Sequence, residues 1–122
     1  MLQDRPEYQI VGEASDGREA VRKSAELRPD LILLDIGLPE LNGLEAARYI
    51  CTTSPGTTIL FVSENQSLEV VQQALHGSAC ARGYVVKSDA ADELLPALEA
   101  VTRDRRFVSS RFTASRLGDP WV

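Results

Sequence analysis

The sequence lacks any run long enough to span a membrane. No apolar stretch approaches the roughly 18 residues that a transmembrane helix needs. The N-terminal stretch MLQDRPEYQ is charged and polar where a signal peptide would be apolar. We therefore expect a cytoplasmic protein. Its 122 residues, 43% of them hydrophobic, are the size of one ordinary globular domain.

The chain also lacks an excess of basic residues. Thirteen Lys and Arg stand against 18 Asp and Glu, so the net charge is −5. Binding to nucleic acid or to an anionic membrane needs clustered cations, and we expect neither for the domain as a whole. The C-terminal part is locally basic, which favours a solvated linker over a nucleic-acid patch. Its arginines are Arg103, Arg105, Arg106, Arg111 and Arg116.

Cysteine and histidine are scarce. Cys51 and Cys80 are the two cysteines, and they show neither CxxC spacing nor the histidine pattern of a metal site. We expect them to be reduced, buried and packed as small apolar residues rather than joined in a disulfide. The single histidine, His76, lies near a predicted helix C-terminus. We expect it to interact favourably with the helix dipole there rather than to act as a metal ligand or a base.

What the chain does contain is a regular alternation of two patterns. Short β-branched apolar runs alternate with longer stretches whose apolar residues recur at helical spacing, which predicts βαβ units and a parallel sheet. The predicted strands are Tyr8–Ala14, Leu31–Asp35, Thr57–Val62 and Gly83–Val86. The predicted helices are Asp16–Leu27, one capped by Asn42 and stopped at TTSPG, Ser67–Gly77, and Ser88–Val101. We expect one layered α/β sandwich.

The run LILLD, Leu31–Asp35, is apolar at every position before its carboxylate. A strand that is covered by helices on both faces requires this pattern, since neither face then meets water. We therefore predict that this strand is central in the sheet.

Polar residues close each predicted strand: Glu13, Asp35, Ser63 and Lys87. Ligands of an open parallel sheet gather outside the carboxyl ends of its strands. A carboxylate that can act as nucleophile, a hydroxyl donor and an ammonium together suit the handling of a phosphoryl group. Taken singly, each of these three residues has a plain structural alternative. Asp35 could form a turn, Ser63 could cap a helix, and Lys87 could be a surface lysine whose stem covers apolar area.

Several segments together resemble the receiver domain of bacterial two-component response regulators, most nearly of the NarL/FixJ kind. They are VGEASDGREAV, DIGLPELNG, FVS and GYVVKSDAADELLPAL, and the likeness covers about residues 8–108. The resemblance implies a flavodoxin-like (receiver/CheY-like) three-layer fold. It also implies that Asp35 accepts a phosphoryl group from a sensor histidine kinase, in phosphorelay signalling.

The resemblance assigns roles to four further positions. Ser63 would hydrogen-bond a phosphoryl oxygen, Lys87 would pair with the phosphate, and Tyr84 would be the aromatic that turns inward when Ser63 moves. Asp35 and the backbone carbonyl of Gly37 would be ligands of the Mg²⁺ that the family uses.

The chain departs from the family at its start. Receivers begin with an apolar strand that ends in two acidic residues, which hold Mg²⁺, and this sequence has no such strand or pair. In the strand order 2-1-3-4-5 that strand would lie between YQIVGEA and LILLD. Four outcomes are open for this place in the sheet. The two flanking strands pair directly, the tail segment RRFVSSRF fills it, a second copy of the chain fills it by swapping, or it stays empty. We expect a weak Mg²⁺ site, unless Glu13 or Asp16 approaches Asp35.

We thus expect a truncated receiver domain over 1–104 and a tail or linker remnant over 105–122, without a helix-turn-helix domain. The expected role is signalling and not enzymatic. The alternative is a phosphorylation-impaired pseudo-receiver that acts as an interaction or dimerisation module. An Asp-nucleophile phosphatase is disfavoured, because Gly37 stands where that chemistry needs a second acid.

Overall fold

The computed structural model describes residues 8, 9, 11–37 and 40–113. Its helices are α1 Gly17–Leu27, α2 Gly43–Thr53, α3 Leu68–Gly77, α4 Ala90–Thr102 and α5 Ser110–Thr113. Its strands are β1 Leu31–Leu34, β2 Thr58–Ser63, β3 Ala81–Val86 and β4 Phe107–Val108, and a 3₁₀ turn, Lys87–Asp89, follows β3. The four predicted helices and the strands β1, β2 and β3 are confirmed. No helix of the described ranges is long and apolar enough to cross a membrane.

Local side-chain caps fix where the first two helices begin. The Asp16 carboxylate accepts a hydrogen bond from the backbone N–H of Glu19 at 2.8 Å, and Asn42 Oδ1 accepts one from the N–H of Glu45 at 3.0 Å. Each bond satisfies an amide that has no partner within its helix. The start of α4 is different, because Asp89 precedes α4 without a side-chain cap bond.

All pairings in the sheet are parallel, in the order β1-β2-β3-β4 over the described residues. Helices α1, α2 and α3 contribute to the core on one face, and α4 packs on the other around Leu98 and Val101. Three layers result. Gly83 permits the close approach of β4, since a Cβ there would lie 2.8 Å from the Phe107 carbonyl oxygen.

Two predictions for the N-terminal side of the sheet are wrong. Residues 8, 9 and 11–14, predicted as a strand, form none, and the described part of the chain supplies β1 with one strand neighbour, β2. The prediction that Leu31–Asp35 is central therefore fails. Leu33 is 39% exposed, because β1 is an edge strand here and one of its faces is incompletely covered.

The described part of the predicted tail, residues 105–113, is folded onto the sheet. It forms β4 and α5, and Val108, Ser109 and Phe112 are buried. β4 pairs with β3, at the edge opposite to β1, so the suggestion that this segment takes the place next to β1 is wrong. The domain boundary after residue 104 stays a prediction.

The prediction of two reduced cysteines is also wrong. Cys51 and Cys80 form a disulfide, with their Cα atoms 5.6 Å apart. Cys51 lies in the last turn of α2 and Cys80 immediately precedes β3. The packing of α2 beside the start of β3 brings the two cysteines together although their sequence separation is 29. At such a separation, the spacing of two cysteines does not indicate whether they can form a disulfide.

Candidate functional site

The carboxyl ends of three adjacent strands bring the predicted site residues together. Asp35 follows β1, Ser63 is the last residue of β2, and Lys87 follows β3. Because parallel strands end at the same edge of a sheet, residues far apart in sequence meet there. Lys87 Nζ lies 2.6 Å from Asp35 Oδ2.

The loop after Asp35 is held against the start of α2. The Gly37 amide donates to Asp35 Oδ1 at 3.0 Å, and the Gly43 amide donates to the Ile36 carbonyl at 2.9 Å. A Cβ on Gly43 would lie 2.2 Å from the Asp35 carbonyl oxygen, so only glycine allows the helix to pack this closely on the loop. The backbone of Asp35 is therefore fixed by the first residue of α2.

The charges of Asp35 and Lys87 stabilise each other. Partial burial raises the pKa of Asp35, but hydrogen bonds from Lys87, the Gly37 amide and Ser63 outweigh it, so this pKa lies below its ordinary value. The hydrogen bond to Asp35 raises the pKa of Lys87. The Asp35 side chain is 30% exposed and that of Lys87 44%. At neutral pH the site holds an ionised carboxylate that an incoming group can reach.

Tyr84 and Ser63 meet at one residue that sequence reasoning missed, Asn65. Its amide donates to Ser63 Oγ at 3.2 Å, and its carbonyl accepts from the Tyr84 hydroxyl at 2.9 Å. Tyr84 is completely buried, with its ring between Phe61 and Phe112, and burial raises its pKa. The predicted switch aromatic already points inward and is tethered to the loop that follows Ser63.

Two more residues near the site had no signal in the sequence. Ser109 is fully buried; its hydroxyl accepts from the Val86 amide, and its amide donates to the Tyr84 carbonyl, both at 2.9 Å. Arg111 forms a bidentate ion pair with Asp89. Only the packing of β4 and α5 against β3 reveals either contact.

The described residues do not fit a Mg²⁺ site. Within them no group of three or more His, Cys, Asp and Glu side chains could hold a metal ion, and both Asp35 oxygens already accept hydrogen bonds. Asp16 is engaged as the cap of α1, and neither it nor Glu13 joins Asp35 in such a group. The role of the Gly37 carbonyl as a ligand stays a prediction.

Comparisons with known proteins agree on one family. The model of the response regulator receiver domain matches residues 1–99. Chemotaxis protein CheY of Thermotoga maritima is 35% identical over 96 residues, which are 79% of this chain and 78% of that protein. Transcriptional regulatory protein LnrK of Bacillus subtilis is 30% identical over 119 residues, 98% of this chain but 53% of LnrK. The chain thus spans about half the length of the transcriptional regulatory proteins that it matches.

Solved structures give the same result. A two-component response regulator of the LuxR family from Aurantimonas superposes with a TM-score of 0.84 at 35% identity, over 91% of this chain and 78% of that one. The receiver domain of NarL from Mycobacterium tuberculosis gives 0.78 at 28% identity, over 85% and 82%. The expected flavodoxin-like fold, a parallel sheet flanked by helices, is thereby confirmed.

Proposed function

We propose that this chain, which belongs to the response regulator receiver domain family, accepts a phosphoryl group on Asp35 from a sensor histidine kinase. The observation that carries the proposal is the contact between Asp35 and Lys87, 2.6 Å at the carboxyl edge of the sheet. It joins an ionised, solvent-accessible nucleophile to a cation at the place where ligands of parallel sheets bind. The function is that of a cytoplasmic signalling acceptor, not of an enzyme.

The transfer needs no general base, because the lowered pKa of Asp35 keeps its carboxylate ionised. A carboxylate oxygen attacks the phosphorus of a phosphohistidine, and a P–O bond forms while the P–N bond breaks. The electron pair of the P–N bond leaves with the imidazole nitrogen, which takes up a proton from solvent. The product is an acyl phosphate on Asp35.

Two side chains stabilise the charge on the transferred group. The Lys87 ammonium lies beside the carboxylate and can move onto a phosphoryl oxygen, and the Ser63 hydroxyl can donate to another. Receiver domains generally bind Mg²⁺ at an acidic site, but the described residues supply no such cluster. We therefore propose that Lys87 provides most of the countercharge and that uptake of phosphate is weak.

The test is phosphate uptake from acetyl phosphate, read by intact mass with and without Mg²⁺. The unchanged chain should gain one phosphate that hydroxylamine removes, as it cleaves acyl phosphates. Asp35→Asn should gain none. Asp30→Asn is the matched control, because it makes the same change in the turn before β1, at the opposite end of that strand. Absence of uptake in the unchanged chain, at any Mg²⁺ concentration, contradicts the proposal.

The second candidate is a pseudo-receiver that acts as an interaction or dimerisation module. It is favoured by β1, whose described surroundings leave it at the sheet edge with Leu33 39% exposed, since an open edge can pair with another chain. This candidate predicts a dimer by light scattering that Asp35→Asn leaves intact. A monomer at all concentrations contradicts it.

A further inference from the structure

Arg111 connects the two loops that leave the candidate site. Its Nε and Nη2 atoms donate to the Asp89 carboxylate at 2.9 and 2.7 Å, and Nη1 donates to Gln66 Oε1 at 2.6 Å. Nη2 also reaches Ser88 Oγ at 3.3 Å. Gln66 belongs to the loop after β2, and Ser88 and Asp89 to the turn after β3. One guanidinium on α5 therefore bridges both loops.

Each of these loops also contacts Asp35 or its partners. On one side, the 3₁₀ turn that carries Ser88 and Asp89 begins with Lys87, the ion-pair partner of Asp35. On the other side, Gln66 follows Asn65, whose backbone holds both Ser63 Oγ and the Tyr84 hydroxyl. The anchors of Arg111 thus lie within three residues of Lys87 and Ser63, the two groups that respond to charge on Asp35.

The rest of the segment is attached to the same strand end. Ser109 is hydrogen-bonded to Val86 and Tyr84, and Phe112, 4% exposed, packs edge-on against the Tyr84 ring at 6.1 Å. β4 contributes a ladder of only two residues. Side-chain contacts at Ser109, Arg111 and Phe112 therefore carry much of the attachment, and a short segment held in this way can open locally without unfolding of the whole domain.

We propose that residues 107–113 form a latch that is closed while Asp35 is unmodified and released when Asp35 is phosphorylated. This proposal rests on the function proposed above. Phosphorylation replaces the single negative charge of the Asp35 carboxylate by the about 1.5 to 2 negative charges of a phosphoryl group, with three acceptor oxygens. That charge draws Lys87 and Ser63 toward Asp35, and the two loops shift with them. A guanidinium is a rigid planar fork whose hydrogen bonds tolerate little misalignment, so Arg111 loses an anchor when the two loops shift relative to one another.

Release would expose apolar side chains of the latch that are buried while it is closed, above all Phe112 and Val108. Phosphorylation of Asp35 would then change the surface formed by β4 and α5, through Lys87 and Arg111. A merely structural clamp would instead keep the same stability whatever the state of Asp35. Amide hydrogen exchange in residues 107–113 distinguishes these two behaviours.

The experiment compares exchange of the full chain before and after acetyl phosphate treatment. Phosphorylated protein should exchange about tenfold faster in residues 107–113 than unmodified protein. Arg111→Gln and Asp89→Asn break the same ion pair from either side, so both should exchange fast already and respond less than about twofold to phosphorylation. Arg105→Gln, an exposed arginine just before β4, is the matched control and should behave like the unchanged chain.

Three results would overturn the latch. One is an equal exchange rate in phosphorylated and unmodified chains, and another is a full response in Arg111→Gln and Asp89→Asn. If no phosphate is taken up, the proposed function fails, and the latch is then judged on Asp35→Asn alone. This change frees Lys87 from its partner and should raise exchange in 107–113 by about threefold or more, whereas Asp30→Asn should not. An unchanged rate in Asp35→Asn is the third contradicting result.

Discussion

Lys87 Nζ and Asp35 Oδ2 lie 2.6 Å apart although 52 positions separate the two residues in the chain. The contact exists because β1 and β3 flank β2 and all three strands run in the same direction. It helps to lower the pKa of Asp35, raises the pKa of Lys87, and supplies the cation of the proposed phosphate acceptor. The first two predictions concern this pair.

Lys87→Gln should slow phosphate uptake from acetyl phosphate by about 100-fold, because a fixed charge that stabilises a transition state is worth about that much. The measurement is the rate of mass gain. Lys23→Gln is the control: Lys23 pairs with Glu19 on α1, and its loss should leave the rate unchanged. Equal rates in both variants would mean that Lys87 does not act on the transferred group.

The stability of the protein should fall in acid partly through Asp35. Its folded pKa lies below the ordinary value because hydrogen bonds from Lys87 and Gly37 outweigh the opposing effect of burial. The unfolded chain therefore binds more protons, and the stabilisation is present above about pH 4 and lost as the pH falls through the folded pKa. Urea unfolding from pH 6 downward should show a shallower loss of stability for Asp35→Asn. Parallel pH profiles would contradict the pairing.

Reduction of the disulfide should lower the free energy of unfolding by about 3 to 4 kcal/mol, since Cys51 and Cys80 close a loop with a sequence separation of 29. Urea unfolding with and without dithiothreitol measures the effect. The double variant Cys51→Ala, Cys80→Ala should be as unstable as the reduced chain and should not respond to dithiothreitol. A reductant effect that persists in the double variant would have another cause.

Gly43→Ala should destabilise the fold by about 1 to 3 kcal/mol, because the added methyl would lie 2.2 Å from the Asp35 carbonyl oxygen. It should also slow phosphate uptake, as the Asp35 loop must shift. Gly56→Ala is the control: nothing lies within 4 Å of its Cβ position, and the expected change is between zero and about 1 kcal/mol of stabilisation. Urea unfolding of both variants decides, and equal effects would contradict the close packing at Gly43.

Two helix starts of the same kind should respond differently to loss of the cap. Asn42→Ala removes the side-chain bond to the Glu45 amide and should cost about 1 kcal/mol of stability. Ser67 precedes α3 without a side-chain cap bond, so Ser67→Ala should cost clearly less. The measurement is the midpoint of urea unfolding. A larger loss for Ser67→Ala would show that its hydroxyl caps α3 in solution.

Much of the helical structure and of the site could be predicted from local pattern. Asp16 and Asn42 act on amides three residues away, so their helices begin where the sequence indicates. Asp35, Ser63 and Lys87 close apolar runs, and parallel strands bring such residues to one edge. By contrast, nothing local predicted Arg111, since its partners Asp89 and Gln66 belong to distant loops.

The sequence by itself determined the helices α1 to α4 and the inner strands, and it indicated Asp35 as the candidate nucleophile, because caps, periodicity and strand ends act over a few residues. Only the tertiary structure decided that β1 lies at an edge of the described sheet, that β4 joins β3, and that Cys51 meets Cys80. These outcomes depend on which segments compete for the same open edge or face. The free energy of the whole packed chain decides which segment takes the edge or face. A short stretch of sequence does not contain this information.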